Sequence, residues 1–172
     1  MIGCLVSAGI FLTDAAVKNY VERHFASGER HFYQNGRFSI EKYHNRGMAF
    51  EVVNISPGTL LKAQGGMLCA AAAIQGVLAL QKKGRLTRAG LTLLLGGGAS
   101  NFFDRYRRGY VVDYFRIHAG PKRLRRIVYN ISDFCIFTGA VLIVIGVRRK
   151  PKSVSPKICT GRCAGVWKGK TK

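Results

Sequence analysis

Four stretches of the chain are long, apolar and nearly free of charge, and dense basic segments separate them. They run over about 2–21, 60–80, 87–104 and 129–147. Each approaches the roughly 17–25 residues that a helix needs to cross a hydrocarbon core ~30 Å thick. The second, LLKAQGGMLCAAAAIQGVLAL, holds Lys62 near its end, where an aliphatic stem can carry the ammonium to the interface. The fourth, YNISDFCIFTGAVLIVIGV, stops against Arg148, Arg149 and Lys150. The first has thirteen residues before Asp14 interrupts it. It lacks a basic leader and a small-x-small cleavage site, so it is expected to be a short spanning helix rather than a removed signal segment. Small residues in GGGAS, 96–100, suit close helix packing within the third stretch.

Lipid offers backbone donors no partner, so spanning segments of this kind are helical. The pattern predicts an all-α membrane protein, a four-transmembrane-helix bundle with both termini on one side. Between the first two stretches, alternation around 37–43 and the turn signals Asn35-Gly36 and Pro57-Gly58 predict a small extracytoplasmic β-containing element. Residues 1–147 then form one integral membrane domain. Residues 148–172 form a basic tail with no acid and one aromatic, Trp167, which reads as disordered and solvated, with attraction to anionic headgroups as the alternative.

Charge sharpens this picture more than overall composition does. A positive mean hydropathy beside 28 Lys and Arg, 8 acids and a formal net charge of +20 requires apolar runs to be segregated from basic ones. Lys and Arg counts tie at thirteen on each face of the proposed bundle, and only their density near span ends favours a cytoplasmic 82–88 loop and tail. Interleaved Arg and Tyr in DRYRRGYVVDYFRIHAGPKRLRR would also suit nucleic acid. A soluble nucleic-acid binder has no use for four apolar spans, so no nucleic-acid partner is expected. Cys4, Cys69 and Cys135 lie inside spans as small apolar residues, and Cys159 and Cys163 form a C-x3-C pair with no nearby histidine, too weak a pattern for a metal site.

The four aspartates, Asp14, Asp104, Asp113 and Asp133, all fall within or beside apolar segments. An ionisable group at membrane depth costs at least ~2.5–3.5 kcal/mol, so it is rare without a partner or a function. Asp14 and Lys18 are spaced i, i+4 and can pair on one helix face. Asn101 and Asp104 are spaced i, i+3, with Arg105 following, a pattern that suits an orienting network. Asp113 follows the apolar YVV beyond the third stretch, and Asp133 lies in the first turn of the fourth, near Asn130. If those two stretches are antiparallel neighbours, both carboxyls reach one membrane face. Two close carboxyls cannot both ionise readily; the ionised one can take a proton from water while the protonated one polarises a carbonyl. A proton relay or ion path is the other use of such acids. Ser39, Ser100 and Ser132 lack a G-x-S-x-G setting, and His24, His31, His44 and His118 lack metal-ligand spacing.

These segments resemble lipoprotein signal peptidase, also called signal peptidase II, in order along the chain to about residue 147. DAAVK (14–18) resembles D-x3-K, with Ala15 where glutamine is common. NRGMAF (45–50) resembles N-x-G-x-A-F, and GGGASNFFDR (96–105) resembles G-G-x-x-x-N-x-x-D-R with Ser100 in a place usually taken by glycine. VVDYF (111–115) resembles V-V-D-F with Tyr114 at the aromatic position, and YNISD (129–133) resembles F-N-x-A-D. The resemblance implies a bacterial cytoplasmic-membrane protein with four spans, cytoplasmic termini and a site near the outer leaflet. It implies Asp113 and Asp133 as a catalytic pair, and Asn45, Asn101, Asp104, Arg105, Asn130, Asp14 and Lys18 as residues that line or shape the site. The implied substrate is a prolipoprotein cut on the amino side of its diacylglyceryl cysteine, with membrane lipid as surroundings. No metal, no cofactor and a monomeric enzyme are expected. A proton- or ion-coupled transporter using the same aspartates is the alternative, and a non-enzymatic membrane protein holding partners at anionic lipid is a third.

Overall fold

The computed structural model describes residues 2–26, 28–47, 56–121 and 125–148. The tail beyond 148, with Cys159 and Cys163, lies outside the described residues, as do positions 48–50 of the NRGMAF motif. Among the described residues the order is α1 (Ile2–His24), β1 (Arg30–Tyr33), β2 (Phe38–Asn45), α2 (Pro57–Leu80), α3 (Arg85–Arg108), β3 (Val111–Ile117), β4 (Val128–Tyr129) and α4 (Ile131–Arg148). Helices α1, α2 and α4 are long and apolar enough to cross a membrane. Large apolar side chains point outward along them, including Ile2, Leu5, Ile74, Leu80, Val141 and Val147, the arrangement of helices whose outer face meets lipid.

Helix α3 answers to the third expected span but is more polar. Arg85, Arg88, Arg105, Arg107 and Arg108 crowd its ends. It packs against α1, α2 and α4 together, so most of its circumference meets protein. Its own small residues make that possible. A Cβ on Gly97 would stand 2.5 Å from the Ser132 carbonyl oxygen, and Cβ atoms on Gly90 and Gly139 would each meet the other's carbonyl oxygen, at 2.5 and 2.6 Å. Backbone therefore lies almost against backbone along the α3–α4 seam.

The sheet is larger than the all-α expectation allowed. It has four antiparallel strands in the order β1-β2-β3-β4. The β-containing element expected around 37–43 supplies β1 and β2, joined through left-handed Gln34 and Asn35 (φ 47° and 54°) and Gly36. The other two strands come from sequence read as a span exit and as the beginning of the fourth span. Valines in YVV extend alongside β2, with Tyr43 opposite Asp113 and Asn45 opposite Val111, as β-branched residues favour. Val128 and Tyr129 pair with Arg116 and Phe115, so α4 starts at Ile131 rather than 129. Val21 of α1 packs with Val112 and Tyr114 of β3, and Ile131 closes over them. This junction places the sheet at the end of the helices where β3 and the first turn of α4 meet.

Candidate active site

Asp133 and Asn130 are fixed by the way α4 begins. Asn130 stands just before the first helical residue, and its Oδ1 accepts the Asp133 amide N–H at 2.9 Å. The Asp133 carboxylate accepts the Asn130 amide N–H in return, at 3.1 Å. This reciprocal pair is a capping box, which satisfies two of the donors a helix start leaves open. It leaves the Asn130 Nδ2 protons free, and one is donated to Asp113 at 2.6 Å. One asparagine thus joins both carboxylates, one through its main chain and the other through its side chain.

Asp113 projects from β3, only 2% exposed. Its second oxygen accepts from Asn45 Nδ2 on neighbouring β2 at 3.0 Å, and the Asn45 Oδ1 is held by the Gly47 N–H. From α3, Asn101 Nδ2 donates to the other Asp133 oxygen at 3.0 Å. Asn101 Oδ1 accepts from Asn130 Nδ2 at 3.2 Å and from Lys18 Nζ at 2.8 Å. Three asparagines from β2, α3 and the head of α4 therefore surround the two acids with amide donors.

Lys18 ties this group to the rest of the buried charge. Its ammonium lies 2.7 Å from Asp14 and 3.2 Å from Asp104. Asp14 and Lys18 are both fully enclosed. Asp104 in turn accepts the Val112 N–H at 3.3 Å, anchoring β3 beside Asp113. All four aspartates of the chain thus belong to one hydrogen-bonded network, which answers why a strongly basic protein keeps them in apolar surroundings: each meets donors supplied by another element.

Burial pushes the Asp113 carboxyl up to about 7, and the Asp133 charge adds to the rise against the opposing asparagine donors. Burial and the neighbouring Asp14 charge raise the Tyr114 hydroxyl, which stays a donor. Near neutrality, then, Asp113 is poised between its two protonation states beside a second carboxyl.

Eight of the nine residues singled out in the sequence converge on this network by direct contact. Arg105 approaches differently. It donates to the Gly47 carbonyl oxygen at 3.0 Å and to Gln64 at 3.3 Å, and makes no ion pair within the network. It thereby holds Gly47, two residues beyond Asn45 at the end of β2, and also reaches the Asn101 carbonyl oxygen at 3.5 Å. The sequence reading missed Gln64, Tyr114 and the role of two serines. Ser100 and Ser132 were weighed as nucleophiles, yet both donate to Asp14, at 2.6 and 2.5 Å. No local spacing could have found them, because their partners lie 86 and 118 positions away.

The family model described as Signal peptidase (SPase) II matches residues 6–149. A lipoprotein signal peptidase from Solibacter usitatus is 31% identical over 153 residues, covering 87% of this chain and 92% of its own. One from Lactiplantibacillus plantarum is 27% identical over 146 residues, covering 84% and 93%. Two solved structures, titled as bacterial membrane enzymes studied by the in meso method, share the fold at 20% identity. Their TM-scores are 0.72 and 0.75, covering 87% and 90% of this chain and 94% of each of theirs. Apolar membrane-length helices and bacterial relatives make this a bacterial membrane protein. The profile match and the coverage of full-length relatives carry the conclusion that the chain belongs to the signal peptidase II family.

Proposed function

We propose that the protein is an intramembrane aspartyl endopeptidase that removes signal peptides from prolipoproteins, cutting on the amino side of a diacylglyceryl-modified cysteine. The observation that carries this reading is the bridge through Asn130, which joins Asp113 and Asp133 within one buried set of donors. In the proposed reaction one carboxyl is ionised and accepts a proton from water as it attacks the scissile carbonyl carbon. The protonated partner donates to the carbonyl oxygen, so the tetrahedral intermediate forms without a free oxyanion. Collapse returns a proton to the departing amine nitrogen and restores the shared proton. The two acids supply both functions, so the scheme requires no metal or organic cofactor.

In this reading α3, shielded by its neighbours, also spans the bilayer and brings the count to four. Both termini face the cytoplasm, and the sheet and dyad lie at the outer leaflet. A diacylglyceryl group held in the bilayer would fix the depth of the scissile bond and reduce the entropy lost in meeting the dyad. Asn45, Asn101 and Asn130 orient the acids; Asp14, Lys18 and Asp104 hold the asparagines and β3; Arg105 steadies the connection after β2. The enzyme acts as a monomer. Membership of a peptidase family leaves the transporter alternative without support.

The test is a gel-shift assay with a lipidated prolipoprotein. Asp113→Asn and Asp133→Asn each abolish cleavage while the purified proteins keep the wild-type helical content. Cleavage by either variant at wild-type rate would overturn the aspartyl mechanism.

A further inference from the structure

Asp14 is a carboxylate with more donors than its charge requires. One oxygen accepts from Lys18 Nζ at 2.7 Å, from Ser100 Oγ at 2.6 Å and from Ser132 Oγ at 2.5 Å. The other accepts from the Tyr114 hydroxyl at 2.9 Å, and that hydroxyl accepts the Ile131 N–H at 3.0 Å. Tyr114 is the chain neighbour of Asp113, and Ser132 is the chain neighbour of Asp133. A single group on α1 therefore tethers the residue beside each dyad aspartate and also Ser100, the residue beside Asn101.

The tether also fixes amide orientation. Lys18 donates to Ser100 Oγ at 3.2 Å as well as to Asn101 Oδ1 at 2.8 Å, so Ser100 links the ammonium and Asp14 beside Asn101. An amide that shows oxygen to an ammonium must show nitrogen elsewhere, and Asn101 Nδ2 meets Asp133. The same Asn101 oxygen accepts from Asn130, whose Nδ2 thereby also reaches Asp113. Reversing the Asn101 amide would set a donor against Lys18 and remove the donor to Asp133. The three hydroxyls stand at positions 100, 114 and 132, where the motifs compared above carry glycine, phenylalanine and alanine.

We propose that Ser100, Tyr114 and Ser132 are positioning residues for the dyad, which act through Asp14 by fixing the main chain beside both aspartates and the amide orientation of Asn101. The proposal rests on the aspartyl reading of Asp113 and Asp133. None of the three hydroxyls touches the reacting atoms in this scheme, so their removal alters the alignment of the acids rather than the binding of the lipid-anchored substrate.

The experiment uses the full chain in detergent micelles with a synthetic diacylglyceryl prolipopeptide. Steady-state rates are measured across pH for Ser100→Ala, Tyr114→Phe, Ser132→Ala and the Tyr114→Phe/Ser132→Ala double variant. Lys18 and Asp14 from α1, Asp104 and Arg105 from α3, and Tyr114 and Tyr129 from the sheet are the other ionisable groups around the pair. Each single variant lowers kcat by about tenfold, with KM within about twofold, the scale of a small misalignment of reacting groups. The pH–rate profile moves by about half a unit, which a smaller folded fraction cannot produce. The double variant loses less than the product of its singles, because both hydroxyls serve one carboxylate. Unchanged kcat and pH profile, or a loss confined to KM, would overturn the proposal. Where Tyr114→Phe fails to fold, the serine variants decide alone. Asp113→Asn and Asp133→Asn are run beside them: cleavage by these sinks the aspartyl reading itself, whereas inactive dyad variants beside unaffected hydroxyl variants sink the positioning role alone.

Discussion

Asn130 and Asp133 hold each other across the first turn of α4, each accepting the other's main-chain N–H, at 2.9 and 3.1 Å. The bond that starts the helix is thus also the bond that aims one acid of the proposed dyad. Asp133 has one oxygen committed to this turn and the other to Asn101, so its orientation is settled before any substrate arrives.

Asn130→Ser separates the two duties of this residue. Serine is as good a helix cap as asparagine, so the stability lost is that of the buried amide bonds to Asp113 and Asn101, about 1–3 kcal/mol. The Nδ2 donor to Asp113 is lost, and cleavage falls by about a hundredfold, the cost of a misplaced catalytic group. Melting curves and gel-shift rates on one preparation check both parts. A variant that melts early and cleaves normally contradicts the assignment.

Asp113 gives the fold a pH dependence of definite sign. Its carboxyl is raised from 3.8 to about 7, so between those values the folded protein keeps a proton that the unfolded chain has released. Stability therefore falls as pH rises through this window, with a limiting slope of ~1.4 kcal/mol per unit, and levels off above about 7. Melting temperatures of wild type should decline across this range, and those of Asp113→Asn should decline less. Parallel curves for the two proteins would count against the raised carboxyl.

Lys18→Met should be among the most damaging single changes. It removes the ammonium between Asp14 and Asp104, 2.7 and 3.2 Å away. Breaking a buried pair by removing one partner costs ~3–5 kcal/mol; Asp14 is left without a counter-ion, whereas Asp104 keeps Arg108 at 3.7 Å. Denaturation followed by circular dichroism measures the loss; less than about 1 kcal/mol would mean that the hydroxyls around Asp14 suffice without the cation.

Gly97→Ala tests the seam. The added methyl would meet the Ser132 carbonyl oxygen at 2.5 Å and Cys135 Cβ at 3.2 Å, so α4 must shift with Asp133 on it. A destabilisation of ~1–3 kcal/mol is expected, together with cleavage reduced about tenfold or more. Gly9→Ala in α1 is the control, since nothing lies within 4 Å of its added carbon; it should be neutral or slightly stabilising.

What the sequence revealed and what it hid follow from distance along the chain. The i, i+4 pair of Asp14 and Lys18 and the three-residue spacing of Asn130 and Asp133 are local, so helix geometry alone brings each pair together. The approach of Asp113 and Asp133 to a common partner, Asn130, was reachable because two neighbouring apolar segments had to return to one face. The hydroxyls on Asp14 were hidden because Ser100, Tyr114 and Ser132 lie 86, 100 and 118 positions from it. Strand β3 was also hidden, since an apolar Tyr-Val-Val following a helix has no period of its own. Its strand state comes from pairing with β2, whose partner positions are about seventy residues earlier.

Where Gly90 and Gly139 face each other, no side chain stands between α3 and α4 to rotate out of the way. Two rods in such contact slide or tilt only together, so Asn101 and Asp133 ride on a single stiff body. If the proposed lipid-anchored substrate needs an opening to enter, that opening is expected to hinge in α1, α2 or the strands, leaving the separation of that amide and that acid unchanged.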